Sequence, residues 1–141
     1  MRKMTNSKSI LFLSVLITMS LTACNLNLNT DAMFEKTLLQ AANEQNKSLP
    51  MMVDKDTRWD SNIVGPGKSW TYIYTLVSPE AKSITNEKIN GFLGPRIRNS
   101  VCTMKEMEIF VNNGVSMKYL YRDNEGKVVG EVVFNAGDCK K

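Results

Sequence analysis

Residues 69 to 77 alternate in a two-residue period, with Trp70, Tyr72, Tyr74 and Leu76 on one side and Thr71, Ile73, Thr75 and Val77 on the other. Both sides are apolar or β-branched, which predicts a central strand. Upstream, Phe34, Leu38, Ala41, Ala42 and Leu49 recur at three- to four-residue spacing and predict a helix capped by Thr30 or Asp31 and ended by Pro50. A weaker strand pattern runs from Thr57 to Val64, and Gly65-Pro66-Gly67 makes its turn. Between Asn86 and Val101 the stripe Ile89, Phe92, Leu93, Ile97, Val101 predicts a second helix, weakened by Gly91 and Gly94 and kinked or broken at Pro95. Thr103-Met104-Lys105-Glu106 matches a capping box, so a third helix is expected to start there, turn Met107, Ile109, Phe110 and Val111 inward and stop at Asn113-Gly114. The last quarter reads as a hairpin. Val115, Met117, Tyr119 and Tyr121 alternate with their neighbours, Asp123-Asn124-Glu125-Gly126 turns, and Val128, Gly130, Val132 and Phe134 alternate again.

The order is therefore α-β-β-α-α-β-β. It predicts an α+β fold in which an antiparallel sheet of about four strands carries helices on one face. No internal repeat or second domain interrupts the pattern, and 141 residues with 43% hydrophobic content suit one domain.

The first residues do not belong to that domain. Arg2, Lys3 and Lys8 form a basic head and Ile10 to Ile17 an apolar core too short to span a bilayer, so residues 1–23 read as a signal peptide. The segment ends in Leu21-Thr22-Ala23-Cys24, which resembles the bacterial lipobox. The resemblance implies that Cys24 is diacylated and becomes the N-terminus, that residues 24–30 are a lipidated tether, and that the single periplasmic domain is 31–141. Asn25, rather than the Asp that retains such proteins in the inner membrane of enteric-type bacteria, favours the outer membrane facing the periplasm.

Cleavage removes three basic side chains and no acidic one, which brings the formal charge from +4 to +1. A chain this close to neutrality has no general attraction to phosphate, and nucleic acid is not an expected partner. The absence of histidine excludes Ser-His-Asp and Cys-His catalysis and histidine-ligated zinc. Two cysteines remain after lipidation, Cys102 and Cys139, in an exported chain with no third thiol, and they are expected to pair.

The other constellations carry little chemistry. Gly65-Pro66-Gly67-Lys68-Ser69 has the tail of a phosphate-binding loop, but Asn62 stands where the first glycine belongs and a strand follows the serine. Asp54, Asp56 and Asp60 have calcium-loop spacing, yet Trp59 and Gly65 occupy the required glycine and glutamate positions; a surface Asp–Arg pair with Arg58 explains them better. Glu106 and Glu108 point to different sides of a helix, so they do not make converging acids. Neither an enzymatic activity nor a cofactor, metal or small-molecule substrate is expected. Surface for a protein partner remains: Met51 and Met52 beside Pro50, with Trp59 and Trp70, are the candidate contact residues, although core packing explains such side chains more readily.

The run Asn46-Lys47-Ser48-Leu49-Pro50 after the first helix, then Val101-Cys102-Thr103, Asn113-Gly114-Val115, Arg122-Asp123-Asn124-Glu125-Gly126 and the closing Cys139, resembles the small lipoprotein pilotins of type II secretion in vibrios and enteric bacteria. The resemblance covers most of the domain. It implies a protein that binds a C-terminal segment of the secretin subunit and carries it, on its own lipid, to the outer membrane. The alternative function is an envelope immunity or exclusion lipoprotein that inhibits a toxin or a phage component.

Overall fold

The computed structural model describes residues 26–139, with side chains from Thr30 onward. The signal peptide and Cys24 lie outside the described residues. Helix α1 (Leu26–Asn46) leads into strands β1 (Met51–Met52), β2 (Thr57–Gly65) and β3 (Ser69–Leu76). A 3-10 turn over Pro79–Ser83 precedes α2 (Asn86–Thr103); a second, Lys105–Met107, runs into the five-residue α3 (Glu108–Asn112). Strands β4 (Ser116–Arg122) and β5 (Val128–Phe134) follow, and a 3-10 turn over Ala136–Cys139 closes the described chain.

The sheet has five strands in the order β1-β2-β3-β4-β5 and is mixed rather than wholly antiparallel, because β3 and β4 run parallel. The reason is the connection: α2 and α3 return the chain to the end where β3 began, the crossover a parallel neighbour requires. All five strands occur in sequence order, and β1 adds a two-residue edge that the apolar pattern was too short to reveal.

Register fixes the faces. Trp70 pairs with Met117, Tyr72 with Tyr119 and Tyr74 with Tyr121 across β3 and β4, while Val64 and Phe134 extend the row on β2 and β5. This face carries the helices. Leu38 and Ala42 of α1 and Val101 of α2 pack with Trp70, Val115, Met117 and Phe134; Ile89 of α2 packs with Tyr121 and Val132. Removing such side chains from water is the main stabilising term of the domain.

Four local expectations are corrected. Helix α1 starts at Leu26, not after Thr30 or Asp31, since the segment expected as tether holds no glycine or proline to stop it. It ends at Asn46, so Leu49 lies beyond it, and the Leu49–Pro50 peptide is cis. Helix α2 passes through Pro95 as one element. Ile89 and Val101 are buried on either side of the proline, and packing at both ends overrides the local preference. Thr103 is the last residue of α2, and its hydroxyl donates to the Asn99 carbonyl at 2.7 Å instead of capping a new helix. The N-cap that does form is Thr85, which accepts from the amide of Lys88 at the start of α2.

The disulfide Cys102–Cys139 ties the C-terminal turn to the end of α2. The hairpin turn between β4 and β5 is organised by buried Asp123, whose Oδ1 accepts from the amides of Glu125 and Lys127.

Candidate functional site

The four residues singled out as partner contacts do not form one surface. Met51 and Met52 are exposed, at 46% and 49%, but pair with Trp59 and Arg58 respectively, so they face opposite sides of the sheet edge. Trp70 is 1% exposed and packs edge-on against Phe110. It belongs to the core, and its expected role in partner contact is corrected accordingly. Trp59 is half-buried against Tyr72 and Tyr74.

One residue explains both tryptophans. The Oδ1 of Asn62, 4% exposed, accepts from the indole N–H of Trp59 at 3.2 Å and of Trp70 at 3.3 Å, while its Nδ2 donates to Gln45 at 3.0 Å. The polar handles that an aromatic contact surface would offer to a partner are used inside the fold. The apparent phosphate-binding loop is likewise filled from within. The amides of Gly67 and Lys68 donate to Oε1 of Glu35 at 3.0 and 3.1 Å, and the Lys68 ammonium pairs with Asp31. The three aspartates after β1 diverge: Asp54 accepts from the amide of Asp56, Asp56 pairs with Lys55, and Asp60 accepts from Arg58 and Thr75. Among the described residues no group of three His, Cys, Asp or Glu side chains could hold a metal ion.

The open feature is a groove beside α2. One part of it is a cavity of about 550 Å³ between Ile84, Ile89, Phe92 and Leu93 on one wall and the segment Asp54–Thr57 on the other, with Leu76 between them. It continues into a second cavity of about 310 Å³ floored by Tyr74, Tyr119 and Tyr121. The two share Asp54, Thr57, Leu93 and Arg96 and form one channel across the helical face of the sheet.

The floor is made by strand pairing. Tyr74 stacks on Tyr121 at 5.3 Å, and Tyr119 is held at 4.8 Å by Tyr72, which stands beside the channel without lining it. Burial raises the Tyr72 phenol to about 12 and that of Tyr121 to about 12, in the latter case aided by the carboxylate of Asp54. Burial pushes the phenols of Tyr74 and Tyr119 up as well, with neighbouring tyrosines adding to it. All four hydroxyls therefore stay protonated at neutral pH, and the floor offers hydrogen bonds and apolar ring area but no base.

The rim is charged. Lys88 and Arg96 stand on the α2 wall, with Phe92 between them 61% exposed and the Arg96 guanidinium 4.0 Å above its ring. The apolar spacing of this helix puts Phe92 in the core stripe, and the structure puts it on the rim. The signal that separates it is the stricter row: Ile89, Leu93, Ile97 and Val101 recur every four residues, and Phe92 falls to the side of them.

The family profile Domain of unknown function (DUF8479) matches residues 33–130. No curated protein matches the sequence. Three solved structures share the fold. A protein of Pseudomonas aeruginosa superposes with a TM-score of 0.67 at 18% identity, covering 78% of this chain and 96% of its own. The pilotin EpsS of the Vibrio vulnificus type 2 secretion system gives 0.66 at 11% identity, covering 82% and 99%. The type II secretion pilotin AspS of Vibrio cholerae gives 0.61 at 12% identity, covering 80% and 98%. At these identities the likeness is one of fold, and the expected pilotin-like architecture is the one observed.

Proposed function

The chain belongs to the family Domain of unknown function (DUF8479), and from that premise and its pilotin-like fold we propose that it is a non-enzymatic targeting factor for an outer-membrane secretion component. In this reading Cys24 carries the lipid, the domain faces the periplasm from the outer membrane, and the groove beside α2 holds an apolar segment of a secretin-type subunit. The observation that carries the reading is the channel itself: apolar walls, an aromatic floor, and a charged rim, in a fold it shares with two proteins named as pilotins. Such a surface suits an amphipathic helix, which buries one face and leaves the other in water.

The test is recovery of partners from solubilised outer membranes using the wild-type protein, Cys24→Ala and Phe92→Asp. The reading expects a secretin-type subunit with the wild type, the same subunit mislocalised with Cys24→Ala, and its loss with Phe92→Asp, whose side chain is exposed enough to leave folding intact. A toxin or phage protein recovered in its place overturns the targeting role in favour of an inhibitory lipoprotein.

A further inference from the structure

Resting on the reading of the groove as a helix-binding channel, we propose that its occupant carries acidic side chains along the flank that meets α2, two of them seven or eight residues apart. The α2 wall presents Lys88 and Arg96 to the channel, and neither has an acidic partner among the described residues. They are eight residues apart, about 12 Å along the helix axis at the usual rise. A second helix lying along α2 meets both cations with carboxylates at that spacing. The facing lip is different. There Lys55 and Asp56 neutralise each other, and Asp54 is left as the charge without an ion pair. The two walls thus have opposite sign, and an occupant with acids on one flank and neutral or basic residues on the other fits in only one rotational setting.

The same structure disfavours an extended segment. An added strand needs a row of free backbone groups at a sheet edge. On β2 the backbone amide and carbonyl of Asn62 are taken by Asn46, and on β5 those of Glu131 are taken by Asn86 and Asn90. Strand β1 offers two residues. The channel offers side-chain packing instead, and that is the mode of a helix.

The experiment uses the full-length domain, acylated or as Cys24→Ala, and two designed amphipathic peptides with the same leucine face. One has Glu at two flank positions eight residues apart; the other has Gln there. Binding is followed by fluorescence anisotropy at low and high salt. The Glu peptide is expected to bind about five- to tenfold more tightly at low salt, with the gap closing as salt screens the pairs. In the double variant Lys88→Glu/Arg96→Glu the preference is expected to vanish, and a Lys-flanked peptide to bind in place of the Glu one. Equal binding of the Glu and Gln peptides, both abolished by Phe92→Asp, overturns the charge rule and leaves the groove reading standing. Binding of neither peptide overturns both.

Discussion

The side-chain amide of Asn46, the last residue of α1, makes two hydrogen bonds to the backbone of Asn62 in β2. The Asn62 amide donates to Oδ1 at 2.7 Å, and Nδ2 donates to the Asn62 carbonyl at 2.9 Å. An asparagine amide offers the same donor and acceptor as a peptide group, so Asn46 stands in for a neighbouring strand where β1 ends. The far edge repeats the device. Glu131 of β5 donates its amide to Oδ1 of Asn86 at 2.9 Å and accepts from Nδ2 of Asn90 at 2.8 Å, one turn further along α2. Both helices on the core face therefore reach over an edge and close it, which limits the unpaired backbone that invites edge-to-edge association.

The substitution Asn46→Asp tests the clamp. It keeps the acceptor for the Asn62 amide but removes the donor and sets a carboxylate against the Asn62 carbonyl. A loss of about 1 to 3 kcal/mol in denaturant unfolding is expected, as for other part-buried polar groups left without a partner. Hydrogen exchange localises it: the Asn62 amide should stay protected in the Asn46→Asp variant and lose protection in Asn46→Ala. Equal protection in both variants would show that the bond from Asn46 does not hold this edge.

Asn62 itself is the denser junction, since its side chain serves Gln45 and both indoles. Asn62→Leu keeps the volume and leaves the Trp70 N–H buried without an acceptor, because Trp70 is fully enclosed. A destabilisation of about 2 to 4 kcal/mol is expected, drawn from one stranded indole and the loss of the α1 contact. Tryptophan fluorescence of the folded variant should shift along with it. An unchanged midpoint and spectrum would mean that the two indoles find other partners.

Gly130 marks a close approach of α2 to the sheet. A Cβ there would stand 2.8 Å from Cγ1 and 2.9 Å from Cβ of Ile89, and 3.2 Å from Cα of Asn86. The last contact is backbone, so Gly130→Ala has to lift the first turn of α2 from β5. The expected cost is about 1 to 3 kcal/mol, with faster exchange of the Glu131 amide as the Asn86 clamp opens. A variant as stable as wild type would show that the helix can ride higher without loss.

These relationships separate what was legible along the chain from what was not. The strand Trp70–Leu76, the closing hairpin and the core row on α2 were legible because their period is set by which residues meet water. Parallel pairing of β3 and β4 was not, since alternation along a strand says nothing about its neighbour's direction. Pro95 misled for a similar reason: local preference argues for a break, and only the burial of Ile89 and Val101 shows what holds the helix together. The groove was hidden in the spacing of Phe92. The clamp asparagines carry no local sign at all, because Asn46, Asn86 and Asn90 look like ordinary surface residues until the sheet edge arrives beside them.

The disulfide is expected to contribute more than its surroundings. Cys102 and Cys139 are 37 positions apart, a loop for which chain entropy gives roughly 4 kcal/mol as an upper figure. The closing turn has few other ties; Arg98 donates to the Asp138 carbonyl at 2.7 Å. Cys102→Ser/Cys139→Ser should therefore lower stability by about 2 to 4 kcal/mol, and adding a reductant to the wild type should reproduce the shift. A reductant that leaves the melting midpoint unmoved would mean the bond restrains nothing the core does not already hold.

The stacked tyrosines make stability depend on alkaline pH. In the unfolded chain a tyrosine ionises near 10; in the fold Tyr72 and Tyr121 are raised to about 12, chiefly by burial. Between these values the unfolded state has released protons that the folded state still holds, so unfolding is increasingly favoured as pH rises. The stabilisation is fully present below about pH 10 and is lost progressively toward about 12. Two measurements taken together check this. The denaturation midpoint should be flat in neutral and mildly alkaline buffer and fall above about pH 10, while tyrosinate absorbance should appear with unfolding and not before it. Substituting Phe for both Tyr72 and Tyr121 removes two ionisable hydroxyls and keeps the stacked rings, so its midpoint should fall less steeply over the same window. Tyrosinate absorbance appearing near pH 10 in the still-folded protein would show that these stacked rings are far wetter than their packing implies.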